Sequence, residues 1–135
     1  MTMRARPSEL ELQVLGVLWD RGPSPVREIL EAMPDGKDRA YTTILSVLQV
    51  LEKKGLVRHT RQGQSNVYHP KLKRGQVLAP LMRDLLRNAF GGSPARALQS
   101  LLDGAEVKPE EIQEIRRVIE RAESEIKRER TEGES

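Results

Sequence analysis

Ala40-Tyr41-Thr42-Thr43-Ile44-Leu45-Ser46-Val47-Leu48-Gln49-Val50-Leu51-Glu52-Lys53-Lys54-Gly55 is the most informative stretch of the chain. Ile44, Val47, Leu48 and Leu51 recur at helical spacing and make one apolar face. Gly55 stops the helix directly after Lys53 and Lys54, two cations that complement the negative end of its dipole. At about 100° per residue, Thr42, Ser46, Gln49 and Lys53 fall opposite the core face. A solvated helix face ordinarily carries Glu and Lys in pairs four residues apart. This one carries small uncharged donors and acceptors and ends in a cation. Such a face can approach base edges in a major groove without setting a carboxylate against phosphate. Tyr41, Thr42 and Thr43 stand at the helix N-terminus, where hydroxyls and free backbone N–H groups suit a phosphate. The same residues also read as tolerated surface polars, and the helix alone does not choose between the two. Leu45 and Val50 flank the polar stripe; they either meet thymine methyls or pack against the segment after Gly55.

That segment is Leu56-Val57-Arg58-His59-Thr60-Arg61, then Gln62-Gly63-Gln64-Ser65, then Asn66-Val67-Tyr68-His69-Pro70. Two short β-prone runs around a Gly-containing turn predict a hairpin. Its tip, Arg61 to Ser65, has the reach and charge of a wing resting on a DNA backbone or in a minor groove; the plain alternative is a solvated turn. Contacts of that kind add affinity and salt dependence rather than sequence choice. The surrounding charge favours the wing. From Gly36 to Lys73 the eight basic residues Lys37, Arg39, Lys53, Lys54, Arg58, Arg61, Lys71 and Lys73 face only Asp38 and Glu52, a net +6. The whole chain is +3, so the remainder is −3. A localised basic region in an otherwise acidic chain points to a polyanionic partner.

Upstream, Ser8 and Glu11 have capping-box spacing, and Leu10, Val14, Leu15, Leu18 and Trp19 continue as a first helix that Gly22 stops. Ser24 before Pro25 reads as the N-cap of a second, shorter helix with Val26, Ile29, Leu30 and Met33 on its apolar stripe, ended by Pro34-Asp35-Gly36. Downstream of Lys73, Val77 to Phe90 forms a fourth helix, broken by Gly91-Gly92. Ser93 caps a fifth with Pro94 at its first position, and Gly104 closes it. Pro109, Glu110 and Glu111 open a sixth, and Arg130 to Ser135 read as a frayed end.

Composition excludes several classes of function. There is no cysteine, and so no disulfide, thiolate metal site or cysteine nucleophile. His59 and His69, across the hairpin from each other, come without a Cys or carboxylate cluster, which argues against a zinc site. His59 reads as facing DNA or solvent. Ser8, Ser24 and Ser93 are explained as caps; no Gly-x-Ser-x-Gly elbow and no phosphate-binding glycine loop is present. No enzyme, cofactor or metal is expected. Met1 to Pro7 lacks the apolar run of a signal peptide, and no stretch approaches the roughly 20 apolar residues of a membrane span, so a cytoplasmic protein is expected.

Aromatic residues make up only 3% of the chain, so its core must be aliphatic. Leu78, Leu81, Met82, Leu85, Leu86 and Phe90, with Leu98, Leu101, Leu102, Ile112, Ile115, Val118 and Ile119, offer more apolar surface than three short helices can bury among themselves. Self-association would cover it; folding back onto the first three helices is the alternative. A two-fold dimer would set two recognition helices one or more DNA turns apart, over a pseudo-palindromic site.

From about Pro7 to Glu125 the sequence resembles the penicillinase and methicillin-resistance repressors, the BlaI/MecI type. The likeness rests on Leu10-Glu11-Leu12-Gln13-Val14-Leu15 through Leu18-Trp19, on Val26-Arg27-Glu28-Ile29, and on Ala40-Tyr41-Thr42-Thr43-Ile44. Leu48, Leu51-Glu52-Lys53-Lys54-Gly55-Leu56-Val57, Val67-Tyr68 and Gly92-Ser93 continue it. The resemblance implies a winged-helix head, a helical dimerisation tail and repression by occupying operators. It also implies a membrane sensor protease that cuts the dimerisation region, usually at an Asn-Phe pair in the helix after Gly-Ser. Here Ser100-Leu101 stands in that place, preceded by Gln99. The cysteine cluster of copper-responsive relatives is absent, and Val50 stands where relatives often carry a basic residue.

The expected architecture is mainly α with a small β-hairpin: a winged helix-turn-helix head over residues 7–73 and a helical dimerisation tail over 74–130. The expected function is transcriptional repression by a homodimer on double-stranded DNA. The recognition helix, about 40–54, would lie in the major groove and the wing, about 56–70, on the backbone. Thr42, Thr43, Ser46 and Gln49 would read bases; Tyr41, Lys53, Lys54, Arg58 and Arg61 would hold phosphates. The alternative is a winged-helix adaptor that binds a protein and no specific DNA.

Overall fold

The computed structural model describes residues 6–34 and 39–133. Asp35, Gly36, Lys37 and Asp38, part of the expected stop and of the basic window, lie outside the described residues, as do residues 1–5 and 134–135. The element order is α1 (Glu9–Arg21), β1 (Ser24–Pro25), α2 (Val26–Ala32), α3 (Tyr41–Lys53), β2 (Val57–Gln62), β3 (Ser65–Pro70), α4 (Arg74–Ala89), α5 (Pro94–Gly104) and α6 (Pro109–Gly133). The described chain is mainly helical, and its strands form one small antiparallel sheet in the order β1-β3-β2. Helices α1 to α3 followed by this sheet are a winged helix-turn-helix.

The core is aliphatic, as the composition requires. Val14, Leu15 and Leu18 of α1, Ile29 of α2, and Ile44, Leu48 and Leu51 of α3 are fully buried, and Val57 and Tyr68 of the sheet close the cluster. Each such side chain contributes roughly 1.5–3 kcal/mol relative to exposure. Leu45 is half-buried and packs against this cluster, whereas Val50 is exposed, so the two residues left open by the sequence go opposite ways.

Local signals hold at most helix ends. Ser8 Oγ accepts from the Glu11 N–H at 3.2 Å, and Ser93 Oγ does the same for Arg96. The end of α3 is a Schellman motif: the Leu56 N–H donates to the Leu51 carbonyl and the Gly55 N–H to Glu52, both at 3.0 Å. Gly55 sits at φ +78°, a conformation any side chain would strain. Leu51 and Leu56, the pair that this motif brings together, are both buried. In the two-residue turn Gly63-Gln64 only Gly63 has positive φ, the pattern of a type II′ hairpin, whose twist matches the strands it joins.

Two expectations change. Ser24 does not cap α2: its backbone pairs with Tyr68 in β1, its hydroxyl donates to the Gly22 carbonyl at 2.9 Å, and Pro25 takes the N-cap position without any side-chain cap. The hairpin therefore gains a third strand, with a proline that the sheet edge tolerates. Second, Arg130 to Gly133 continue α6 rather than fraying.

The chain divides into two compact units between Leu85 and Leu86, within α4, whereas the sequence changes character at Lys73–Arg74. The first turns of α4 stay with the first unit for identifiable reasons. Trp19 Nε1–H donates to the Leu72 carbonyl at 2.9 Å, Arg74 lies over the Trp19 ring and pairs with Asp20, Val77 packs on the core, and Asp84 pairs with Arg6 at 2.7 Å. No described helix is long and apolar enough to cross a membrane.

Leu48→Ala should lower the unfolding free energy of the first unit by about 2–5 kcal/mol, read from urea titrations.

Candidate nucleic-acid interface

Burial of Ile44, Leu48 and Leu51 turns the other side of α3 outward. Thr42, Thr43, Ser46, Gln49, Val50 and Lys53 are all exposed there, within one half of the helix circumference. Tyr41, 46% exposed, stands at the N-terminus on the side nearer the sheet; its proximity to Tyr68 is electrostatically felt. Arg58 and Arg61 are exposed on β2, and Arg61 Nε–H donates to the Gly63 carbonyl at 3.3 Å, which folds its stem over the turn. The expected base-reading set thus shares one face, and two of the expected phosphate-holding cations stand on the adjoining strand.

Lys54 does not join them. Its ammonium donates to both carboxylate oxygens of Glu11, at 2.8 and 3.0 Å, and the Lys54 and Glu11 side chains are only 26% and 12% exposed. The pair ties the C-terminal end of α3 to α1. Sequence reading missed it because the partners are 43 residues apart, beyond any local spacing rule.

A second pair was also missed. Glu52, the one carboxylate on α3, lies between 2.6 and 2.9 Å from His59 Nδ1 of β2, and the His59 ring sits 5.5 Å from that of Tyr68. The carboxylate is thereby drawn toward the sheet and away from the Thr-Ser-Gln face. On the other side of the hairpin, Thr60 Oγ1 and His69 Nε2 are 2.9 Å apart. Burial, and then the Arg58 charge, hold the His69 pKa below its ordinary 6.5. Burial, with Glu52 and Tyr41 adding to it, raises that of Tyr68. No group of three or more potential metal ligands occurs among the described residues.

The tail residues expected at a dimer contact are nowhere buried. Leu78, Leu81, Leu86, Phe90, Leu98, Leu102, Ile112 and Ile115 are half-covered, and Met82, Leu85, Leu101, Val118 and Ile119 are exposed, Leu101 to 65%. Ser100 and Leu101 lie within α5, both exposed.

A family model described as the penicillinase repressor matches residues 7–121. The chain belongs to the penicillinase repressor family. It is 36% identical over 121 residues to the transcriptional regulator BlaI of Mycobacterium tuberculosis, across 88% of this chain and 86% of the relative. The penicillinase repressor of Bacillus licheniformis is 24% identical over 113 residues, 84% of this chain and 88% of that one. The solution structure of the DNA binding domain of the repressor BlaI aligns over 53% of this chain and 90% of that one, at 28% identity and a TM-score of 0.46. The family is one of transcriptional repressors, not of enzymes, and this protein is a transcriptional repressor.

His69 supplies a pH test of the wing. Its folded pKa lies below the unfolded 6.5, so stability is complete above that value and is lost as pH falls from 6.5 toward the folded pKa. The urea midpoint should fall between pH 7.5 and 5.5, and His69→Gln should flatten that slope.

Proposed function

We propose that this repressor binds pseudo-palindromic operator DNA as a homodimer, with α3 in the major groove and the β2–β3 hairpin on the backbone. The carrying observation is the outer face of α3: Thr42, Thr43, Ser46, Gln49 and Lys53, all exposed, with the helix's one carboxylate held aside by His59. Thr42, Thr43, Ser46 and Gln49 read base edges. Val50, exposed at 43% within the same face, meets thymine methyls. Tyr41, Lys53, Arg58 and Arg61 hold phosphates; Lys54 is left out, since its donors go to Glu11. Relief of repression by a sensor protease is not part of this reading, because Ser100-Leu101 replaces the Asn-Phe pair.

The homodimer rests on the uncovered apolar surface of α4, α5 and α6. Large side chains spread over three helices and half or fully exposed are the mark of an association surface in a soluble chain. A two-fold pair presents two α3 helices to two half-sites.

The experiment is a pull-down of fragmented genomic DNA by the purified full-length protein at near-physiological salt, with sequencing of what is retained. A two-fold symmetric motif is expected; only random DNA, released by modest added salt, would favour an adaptor. On the motif so found, Thr43→Ala and Ser46→Ala should relax base preference. Arg61→Ala should weaken binding to all sequences and reduce the salt slope by about 1. His59→Ala should weaken binding several-fold by freeing the Glu52 carboxylate toward phosphate, and adding Glu52→Gln should restore it. The double variant Leu85→Asp, Ile115→Asp should give a monomer that no longer binds the operator while the head stays folded, checked by near-native thermal unfolding and sedimentation.

A further inference from the structure

Resting on the homodimer reading, α6 carries a pattern that names how two copies meet. Ile112, Ile115, Ile119, Ala122 and Ile126 are spaced three, four, three and four, the a and d positions of a heptad. The helix runs unbroken through all five and on to Gly133, past residue 121 where the family match ends. None of the five is buried; Ile119 is 46% exposed and Ile126 53%. The ion pairs formed along α6 itself, from Arg117 and Arg121 to Glu114, lie at f and c, on the side away from this seam.

The charges flanking the seam are arranged for a partner. Glu111 and Glu125 take g positions, and Arg116 and Arg130 take e positions. In a parallel, in-register pair, each g residue faces the e residue five places on in the other helix. Glu111 then meets the partner's Arg116 and Glu125 meets the partner's Arg130, opposite charges both times. In that arrangement Glu123, at the remaining e position, faces only Val118 of the other helix. In an antiparallel pair g faces g and e faces e, so those g–e contacts are lost and Arg116 with Glu123 is the one attraction left between flanking charges. We infer that α6 pairs with α6 of a second copy as a parallel, in-register coiled coil through Ile112, Ile115, Ile119, Ala122 and Ile126.

β-branched Ile at every a position suits this arrangement, and Ala122 lets the helices approach closely. Val118, at g, widens the seam beside Ile119, and Glu129, at the next d position, ends it. Two heptads do not hold separate chains together in water. Linked to the rest of the tail contact, however, the pairing becomes intramolecular and needs only modest intrinsic strength. It places the molecular two-fold axis along the coiled coil, so both copies of α6 leave the dimer in the same direction.

The chain has no cysteine, so introduced thiols report cleanly. Full-length Ala122→Cys, at d, and Ser124→Cys, at f, are oxidised under mild conditions and read on non-reducing gels, with sedimentation of the reduced proteins alongside. Residue 122 should link into covalent dimers roughly tenfold faster than residue 124, because only at a seam position are the two Cα atoms within disulfide reach. In the Ala122→Cys background Glu125→Lys should slow linking, and adding Arg130→Glu should restore it. A dimer that links no faster through 122 than through 124, or a double charge swap that fails to restore linking, overturns the parallel coiled coil and leaves the dimer reading standing. A monomer for the reduced protein overturns both.

Discussion

Insertion of Ile44, Leu48 and Leu51 among the aliphatic side chains of α1 and α2 sets the rotation of α3 about its own axis, and nearly everything functional depends on that angle. A helix has only one way to bury three residues at positions i, i+4 and i+7, so the residues on its far side are committed to solvent or to a ligand. The end of the helix is held as firmly as its face. The Schellman turn at Gly55 redirects the chain into β2 within two residues, and the Glu11–Lys54 pair ties that corner to α1. The hairpin is therefore carried by the same core that orients α3.

Electrostatics at this surface depends on where carboxylates are sent. Glu11 is largely buried and matched by Lys54; Glu52 is drawn to His59 on the sheet. Each pairing sets a carboxylate against a basic side chain of another element, away from the outer Thr-Ser-Gln face of α3. The Glu11–Lys54 pair costs desolvation, and such a partly buried pair is weak evidence for stability. Its value lies in geometry, since it fixes a corner that two helices and a strand share. Lys53, one residue earlier, points outward and keeps its charge available.

The second half of the chain obeys a different balance. The first three helices and the sheet bury a cluster of aliphatic residues, whereas in α4, α5 and α6 no side chain is buried. Apolar surface left in water is unfavourable at roughly 25 cal/mol per Å², so such helices gain stability from whatever covers them. In the proposed homodimer this would couple folding to association, the energy missing from one copy being supplied when two meet.

Much of this was legible in the sequence because it is written at short range. The three-four spacing of Ile44, Leu48 and Leu51, the caps at Ser8 and Ser93, the glycine after Lys54 and the Gly63 turn each involve residues within one or two helical turns. Local geometry suffices to read them. Strand β1 escaped, since two residues carry no periodicity and Ser24–Pro25 becomes a strand only by lying beside Tyr68 and Val67. The fate of Lys54 escaped for the same reason: nothing within its own helix distinguishes it from Lys53, and only the approach of Glu11 from α1 turns it inward. Likewise Leu45 and Val50 looked alike until packing sent one to the core and left the other outside. Patterns that repeat along the chain were settled by the chain itself, because a helix or hairpin sets its own spacing. The pairing of charges and the choice between two similar apolar neighbours waited on tertiary structure, because those depend on what another element brings within a few ångströms.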